Sequence, residues 1–125
     1  MSGGSDRTQS YLHHMLGAIR RTGVYIEHMD EPAFLADTRT QDAVIRNLEI
    51  VGEAARNVER RNAAFVAAHP EIPWALAYRM RNALSHGCAD VDLHTVWTTA
   101  KTVLPKLRDQ VTMLVRETRG SDDAS

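Results

Sequence analysis

Two apolar stripes decide what this chain can fold into. Val44, Leu48, Val51, Ala55 and Val58 recur at alternating steps of four and three. So do Leu93, Trp97, Ala100, Leu104, Leu107, Val111 and Leu114. That spacing keeps one side of an α-helix apolar and is shared with coiled-coil seams. A third helical pattern runs from about Arg7 to about His28 through Leu12, Met15, Leu16, Ile19 and Ile26, weakened but not ended by Gly23. No stretch alternates with period two, so no strand is expected. The prediction is an all-α, up-and-down bundle of four main helices plus one or two short extra turns.

Capping and breaking residues set the expected boundaries. Thr40, with Asp42 close behind, is the candidate cap of the second long helix, and Asp92 that of the last one. Glu31 to Leu35 reads as one short helical turn with Pro32 in its first turn, and Asn62 to Ala68 as another short helix. His69-Pro70-Glu71-Ile72-Pro73 breaks the chain, because proline pushes its predecessor out of the helical region. Pro73 then opens a helix through Trp74, Leu76, Tyr78 and Met80 that Gly87 stops. Pro105 should kink the last helix or split it, since its ring clashes with a preceding carbonyl. Gly52 lies inside the second stripe at a cost of about 1 kcal/mol, which close approach of a neighbouring helix would explain. Residues 1–6 and 119–125, rich in glycine, serine and aspartate, read as flexible ends around one domain at 7–118.

The 125 residues suffice for one hydrophobic core and hardly for two. No apolar run approaches the roughly 20 residues of a membrane span, and the first residues lack the apolar core of a signal peptide. A single cysteine, Cys88, excludes an intrachain disulfide and fits a reducing cytoplasm. The net charge of −1 excludes bulk attraction to polyanions. Any RNA contact must come from local clusters such as Arg20-Arg21, Arg56 with Arg60-Arg61, or Arg79 with Arg81.

The chemistry concentrates in Arg81-Asn82-Ala83-Leu84-Ser85-His86, at a helix end entering the Gly87 loop. Guanidinium can hold a phosphate oxygen with two hydrogen bonds, and imidazole moves protons near neutrality. The pair suits work on a phosphodiester. Spacing alone also fits a helix end that carries cations for charge–dipole reasons. Asn82 and Ser85 are candidate polar helpers or simple C-cap polarity. Residues five apart on a helix point about 140° apart. His86 therefore lies beyond the last regular turn, or the pair acts across an interface. Arg79, seven residues before His86, and Arg46 on the second helix are candidate RNA-backbone contacts. His86, Cys88 and His94, with His13 and His14 elsewhere, fall short of a zinc site, which takes four ligands and has no paired cysteines here. Asp6, Glu49 and Glu53 show no paired-carboxylate logic, and Glu53 reads as a hydrogen-bonding group near the cleft or, more simply, as a solvated helix face.

Longer blocks carry a resemblance. Gln41-Asp42-Ala43-Val44-Ile45-Arg46-Asn47-Leu48-Glu49-Ile50-Val51-Gly52-Glu53-Ala54 is similar to the second-helix signature of HepT-like HEPN domains. So are Pro70-Glu71-Ile72-Pro73-Trp74, Met80-Arg81-Asn82-Ala83-Leu84-Ser85-His86-Gly87, Val91-Asp92-Leu93 and Val96-Trp97, in matching order from about residue 7 to about residue 117. The resemblance implies a helical bundle that dimerises and a metal-independent ribonuclease whose Arg81 and His86 line a cleft between protomers. It also implies a toxin paired with an MntA-like minimal nucleotidyltransferase antitoxin. One position departs: the family follows this histidine, after one residue, with a tyrosine that such antitoxins modify with AMP, and here that position is Cys88.

RNA carries its own nucleophile, the 2′-hydroxyl, so such an enzyme needs no metal or other cofactor. It needs a base for that hydroxyl, an acid for the departing 5′-oxygen, and positive charge on the transition state. One chain supplies one histidine in the motif; a two-fold homodimer supplies two. The alternative is a non-catalytic bundle that binds a nucleotidyltransferase partner or RNA.

Overall fold

The structure is a computed structural model that describes residues 3–75 and 92–124, with side chains over 7–75 and 92–118. Every regular element among the described residues is helical, which gives the all-α bundle the stripes predict. Helix α1 spans Gly3–Ile26, α2 Glu31–Leu35, α3 Thr38–Arg61, α4 Ala63–Ala68, α5 Leu93–Thr98 and α6 Leu104–Ala124. Between α5 and α6 lies a wide, π-helical turn at Thr99–Val103. Helical backbone thus begins nearer the N-terminus and ends nearer the C-terminus than the apolar pattern placed it.

The stripes meet where they must. Helix α1 packs along α3 and against α6, and the shared core holds Leu12, Met15 and Ile19 of α1, Val44, Leu48, Val51 and Val58 of α3, and Leu104, Leu107, Val111 and Leu114 of α6. Leu93 alone of the last stripe is only half-buried, at the margin of that core. Gly23 is exposed with open space around its Cα, so α1 runs through it to Ile26 without a packing demand for glycine. Gly52 is buried on α3. No helix among the described residues is long and apolar enough to cross a membrane.

One boundary expectation changes. The cap of α3 is Asp37, not Thr40. The Asp37 carboxylate accepts from the Thr40 backbone N–H at 3.1 Å and from its hydroxyl at 2.9 Å. Thr40 is therefore a donor in the first turn, and α3 starts one residue after Asp37. These hydrogen bonds, the backbone one foremost, hold the Asp37 carboxyl below its ordinary range. Aspartate outranks threonine at this position because a charged acceptor satisfies the orphan N–H groups and complements the helix dipole.

Pro105 splits the last helix as expected, and the split takes the form of a π-helical turn just before it. Proline removes the N–H that would bond to the Lys101 carbonyl and crowds that carbonyl with its ring. The chain widens just before it, so that the Leu104 N–H reaches back five residues to the Thr99 carbonyl. The four-three stripe survives: Ala100, Leu104 and Leu107 stay buried on one face.

Helix α2 has five residues and depends on its neighbours. Asp30 caps it through the Ala33 N–H, and the Gln41 side chain on α3 donates to the carbonyls of Phe34 and Leu35. Phe34 is fully buried and stacks at 5.4 Å on Trp97 of α5. Helix α2 thereby joins the start of α3 to the start of the last helical run.

Candidate functional site

Arg79, Arg81, Asn82, Ser85, His86 and Cys88 lie outside the described residues, within 76–91. What the structure describes is the frame on both sides of that segment, and Arg46.

On the entry side, α4 and the following turn form a fixed platform. Asn62 caps α4 through the Phe65 N–H, and its side-chain amide donates to Thr8 of α1 at 3.3 Å. The Phe65 ring lies 4.6 Å from the His69 ring and meets Trp74 edge-on. Buried Trp74 donates its indole N–H to the His69 carbonyl at 3.0 Å, and Gln110 of α6 donates to the Glu71 carbonyl at 2.8 Å. The prolines that break the helical pattern thus sit in a turn whose carbonyls are tied from two sides. Residues 74 and 75 resume helix where Pro73 predicts it.

On the exit side, Asp92 caps α5, as the sequence predicts. Its carboxylate accepts from the Thr95 hydroxyl and from the backbone N–H groups of Thr95 and His94, and the hydroxyl bond most of all holds its carboxyl below the usual range. His94 Nδ1 lies 2.6 Å from Glu31 Oε2 of α2. The hydrogen bond and charge of Glu31 raise the His94 pKa above its ordinary value. Lys101 sits 5.4 Å from the centroid of the Trp97 ring, a cation–π contact over the same joint.

That ion pair gives a signed pH dependence. A histidine whose pKa is raised by folding contributes stability that is fully present below its unfolded value, about 6.5, and is lost as pH rises through the higher folded value. Unfolding midpoints in urea should therefore decline as pH rises from about 6.5. Glu31→Gln should flatten that decline. An equally steep decline in Glu31→Gln would place its origin elsewhere.

The described part of α3 carries a groove of about 430 Å³, lined by Arg46, Glu49, Ile50, Glu53, Ala54 and Asn57 together with His14 of α1. Arg46, Ile50, Glu53 and Asn57 step by four, three and four, so they form a second stripe on the side of α3 turned away from its core stripe. Arg46 and Glu53 are exposed, while Glu49, Ile50 and Asn57 are half-buried. Of these residues the sequence marks Arg46 as a candidate contact and Glu53 as a hydrogen-bonding group near the cleft or solvated surface. The groove is hidden in the sequence because the stripe mixes charge with a single isoleucine, although its four-three-four period can be counted.

The arginine clusters divide. Arg21 donates from Nε to Asn47 Oδ1 at 2.9 Å, and buried Asn47 in turn donates to the Ala43 carbonyl, so Arg21 works as a tie between α1 and α3. Arg60 and Arg61 are exposed in the last turn of α3, where cations suit the helix dipole. His94 is engaged by Glu31, and His13 and His14 lie on α1.

Comparison with known proteins places the chain. A family model described as ribonuclease HepT-like matches residues 15–114. A protein of Thermococcus cleftensis named "Probable ribonuclease HepT" is 39% identical over 100 residues, 80% of this chain and 88% of that protein. A protein of Methanocaldococcus jannaschii that bears the name of an RNase candidate is 26% identical over 117 residues, 94% of each chain. A longer protein of the same organism, named as a gamma-glutamylcyclotransferase and RNase candidate, is 34% identical over 107 residues that make up 86% of this chain but 47% of that one. No solved structure matches the chain. With 100 consecutive residues matched by one family model, the chain belongs to the ribonuclease HepT-like family.

Proposed function

We propose that this chain is a metal-independent endoribonuclease, the toxin of a toxin–antitoxin pair, acting as a homodimer through Arg81 and His86. The observation that carries the reading is the Arg81-x4-His86 motif inside the segment that the ribonuclease HepT-like model matches. The 2′-oxygen attacks the adjacent phosphorus as one His86 takes its proton. The bond from phosphorus to the 5′-oxygen then breaks as the second His86 delivers a proton to that oxygen. Both Arg81 side chains hold the phosphoryl oxygens while charge builds on them, with Asn82 and Ser85 as polar support and Arg79 on the flanking backbone. The products are a 2′,3′-cyclic phosphate and a 5′-hydroxyl. The test is incubation of purified protein with total RNA, with and without EDTA, and analysis of the ends. Cleavage that survives chelation and leaves cyclic phosphates supports the reading, and cleavage that returns only with a divalent ion overturns it. Light scattering at micromolar concentration should give twice the chain mass, because one protomer offers one motif histidine.

The antitoxin in this proposal is an MntA-like nucleotidyltransferase, and Cys88 bears on how it works. A thiol in place of the family's tyrosine is not an equivalent acceptor for AMP, so the partner acts by covering the cleft or by modifying another residue. Mass spectrometry after incubation with a cognate nucleotidyltransferase and ATP should find no AMP on residues 87–92 of the wild type and a gain of AMP there in Cys88→Tyr. AMP on the wild-type segment would show the thiol, or a neighbour, to be an acceptor after all. A non-catalytic bundle that binds the nucleotidyltransferase or RNA is the second reading, favoured by that same missing tyrosine.

A further inference from the structure

We infer that the groove on α3 is a base-recognition subsite for guanine in single-stranded RNA, with Glu49 reading the base and Arg46 holding a neighbouring phosphate. The inference rests on the ribonuclease reading for its substrate class and adds which base is preferred.

The first observation is the volume: about 430 Å³ admits a nucleotide. The second is the state of its charges. Arg46 and Glu49 are three apart on one helix, the spacing at which opposite charges ordinarily pair, yet among the described residues neither makes a hydrogen bond or ion pair. A half-buried carboxylate and an exposed guanidinium are thus both left facing the same groove. The third is the lining. Ile50 and buried Ala54 give an apolar floor for a base. The His14 ring, held edge-on to Tyr11 at 6.2 Å, stands at the groove wall as a flat surface for stacking. Asn57 adds a donor and an acceptor.

Carboxylate chemistry selects the base. Guanine alone offers two adjacent donors on its pairing edge, the N1–H and the N2 amino group, which match the two oxygens of a carboxylate. Adenine and cytosine offer one amino group next to an unprotonated ring nitrogen, whose lone pair faces a carboxylate oxygen unfavourably. Uracil offers one imide N–H between two carbonyls. A good bidentate pair is worth about 5- to 150-fold in discrimination between bases. Arg46 contributes charge that is independent of the base and offsets the repulsion between the groove's carboxylates and the RNA backbone.

Binding tests this without depending on cleavage. Fluorescence anisotropy of His86→Ala protein with labelled short RNAs carrying one guanosine, inosine, adenosine or uridine in a common single-stranded context should rank guanosine first by about tenfold or more. Inosine, which lacks the N2 amino group, should fall below guanosine. Glu49→Gln should bring guanosine, inosine and adenosine to near parity. Arg46→Ala should weaken all four alike and flatten the salt dependence. Circular dichroism checks that both variants keep their helices. RNA binding with no preference for guanosine, or a preference untouched by Glu49→Gln, overturns the subsite and leaves the ribonuclease reading standing. Guanosine-selective binding by a protein whose wild type cuts no RNA upholds the subsite and overturns the ribonuclease reading instead. Failure to bind any of the four, with a nucleotidyltransferase or another protein seated on Arg46 and Glu49 instead, overturns the subsite.

Discussion

Arg81→Ala and His86→Ala should each lower RNA cleavage by roughly 10²–10⁴-fold while the helical content stays at the wild-type level. The size follows from what each group supplies in the proposed reaction. A positioned acid or base contributes on the order of 10²–10⁴. A fixed cation at the point where charge develops contributes about as much and often more. The proposed reaction uses one His86 as base and the other as acid, so a dimer mixed from wild-type and His86→Ala protomers, which keeps only one of the two, should retain little activity. Arg81→Lys should also be poor, because a compact ammonium does not reproduce the bidentate fork that grips two phosphoryl oxygens. Single-turnover cleavage of a defined RNA measures all three variants. Near-normal activity in His86→Ala would move the proton chemistry to another residue and end the two-histidine proposal.

How much of this could be read from the sequence follows from which forces are local. The stripes of α3 and α6 are set by burial alone, and burial repeats with the helix period, so their fold was legible residue by residue. So were the short helices, because Asp30, Pro32 and Asn62 are strong local signals at their ends. The cap of α3 was misplaced because Asp37 and Thr40 are both good capping residues three apart. Only the backbone turn at Asp37 decides which of them accepts. The π-helical turn before Pro105 was half legible: proline announces an interruption, and only the backbone shows that the chain widens into a π-turn there. The His94–Glu31 pair joins residues 63 apart in sequence, and no local rule brings them together. The same is true of His14 beside the α3 groove. Within α3 itself the groove was countable, yet a stripe of mixed charge is what a solvated face also looks like. The motif arginine and histidine stand out in the sequence as chemistry rather than packing, and they lie outside the described residues.

The joint between α2 and α5 should prove to be the most sensitive point of the described fold. Phe34→Ala is expected to cost about 3–5 kcal/mol, the usual range when a fully buried phenylalanine is emptied from a core. Phe34 has no exposed surface and lies 5.4 Å from the Trp97 ring, so its removal loses transfer energy, the ring contact and the filling of the space between. Helix α2 cannot compensate. It has five residues, too few to persist without tertiary support, and its other ties to α3 are the two bonds from Gln41. With Phe34 gone, Glu31 loses the platform that holds it against His94, so the pH dependence above about 6.5 should vanish along with the stability. Leu35 is the control: it neighbours Phe34 but is 45% exposed, and Leu35→Ala should change stability by less than about 1 kcal/mol. Urea unfolding at one fixed protein concentration measures both variants, since any dimerisation makes stability depend on concentration. A loss below about 1 kcal/mol in Phe34→Ala, which an emptied core site does not allow, would mean that α5 keeps its seat without α2. The clamp on the exit side of residues 76–91 would then have to be sought in Trp97 and Lys101 alone.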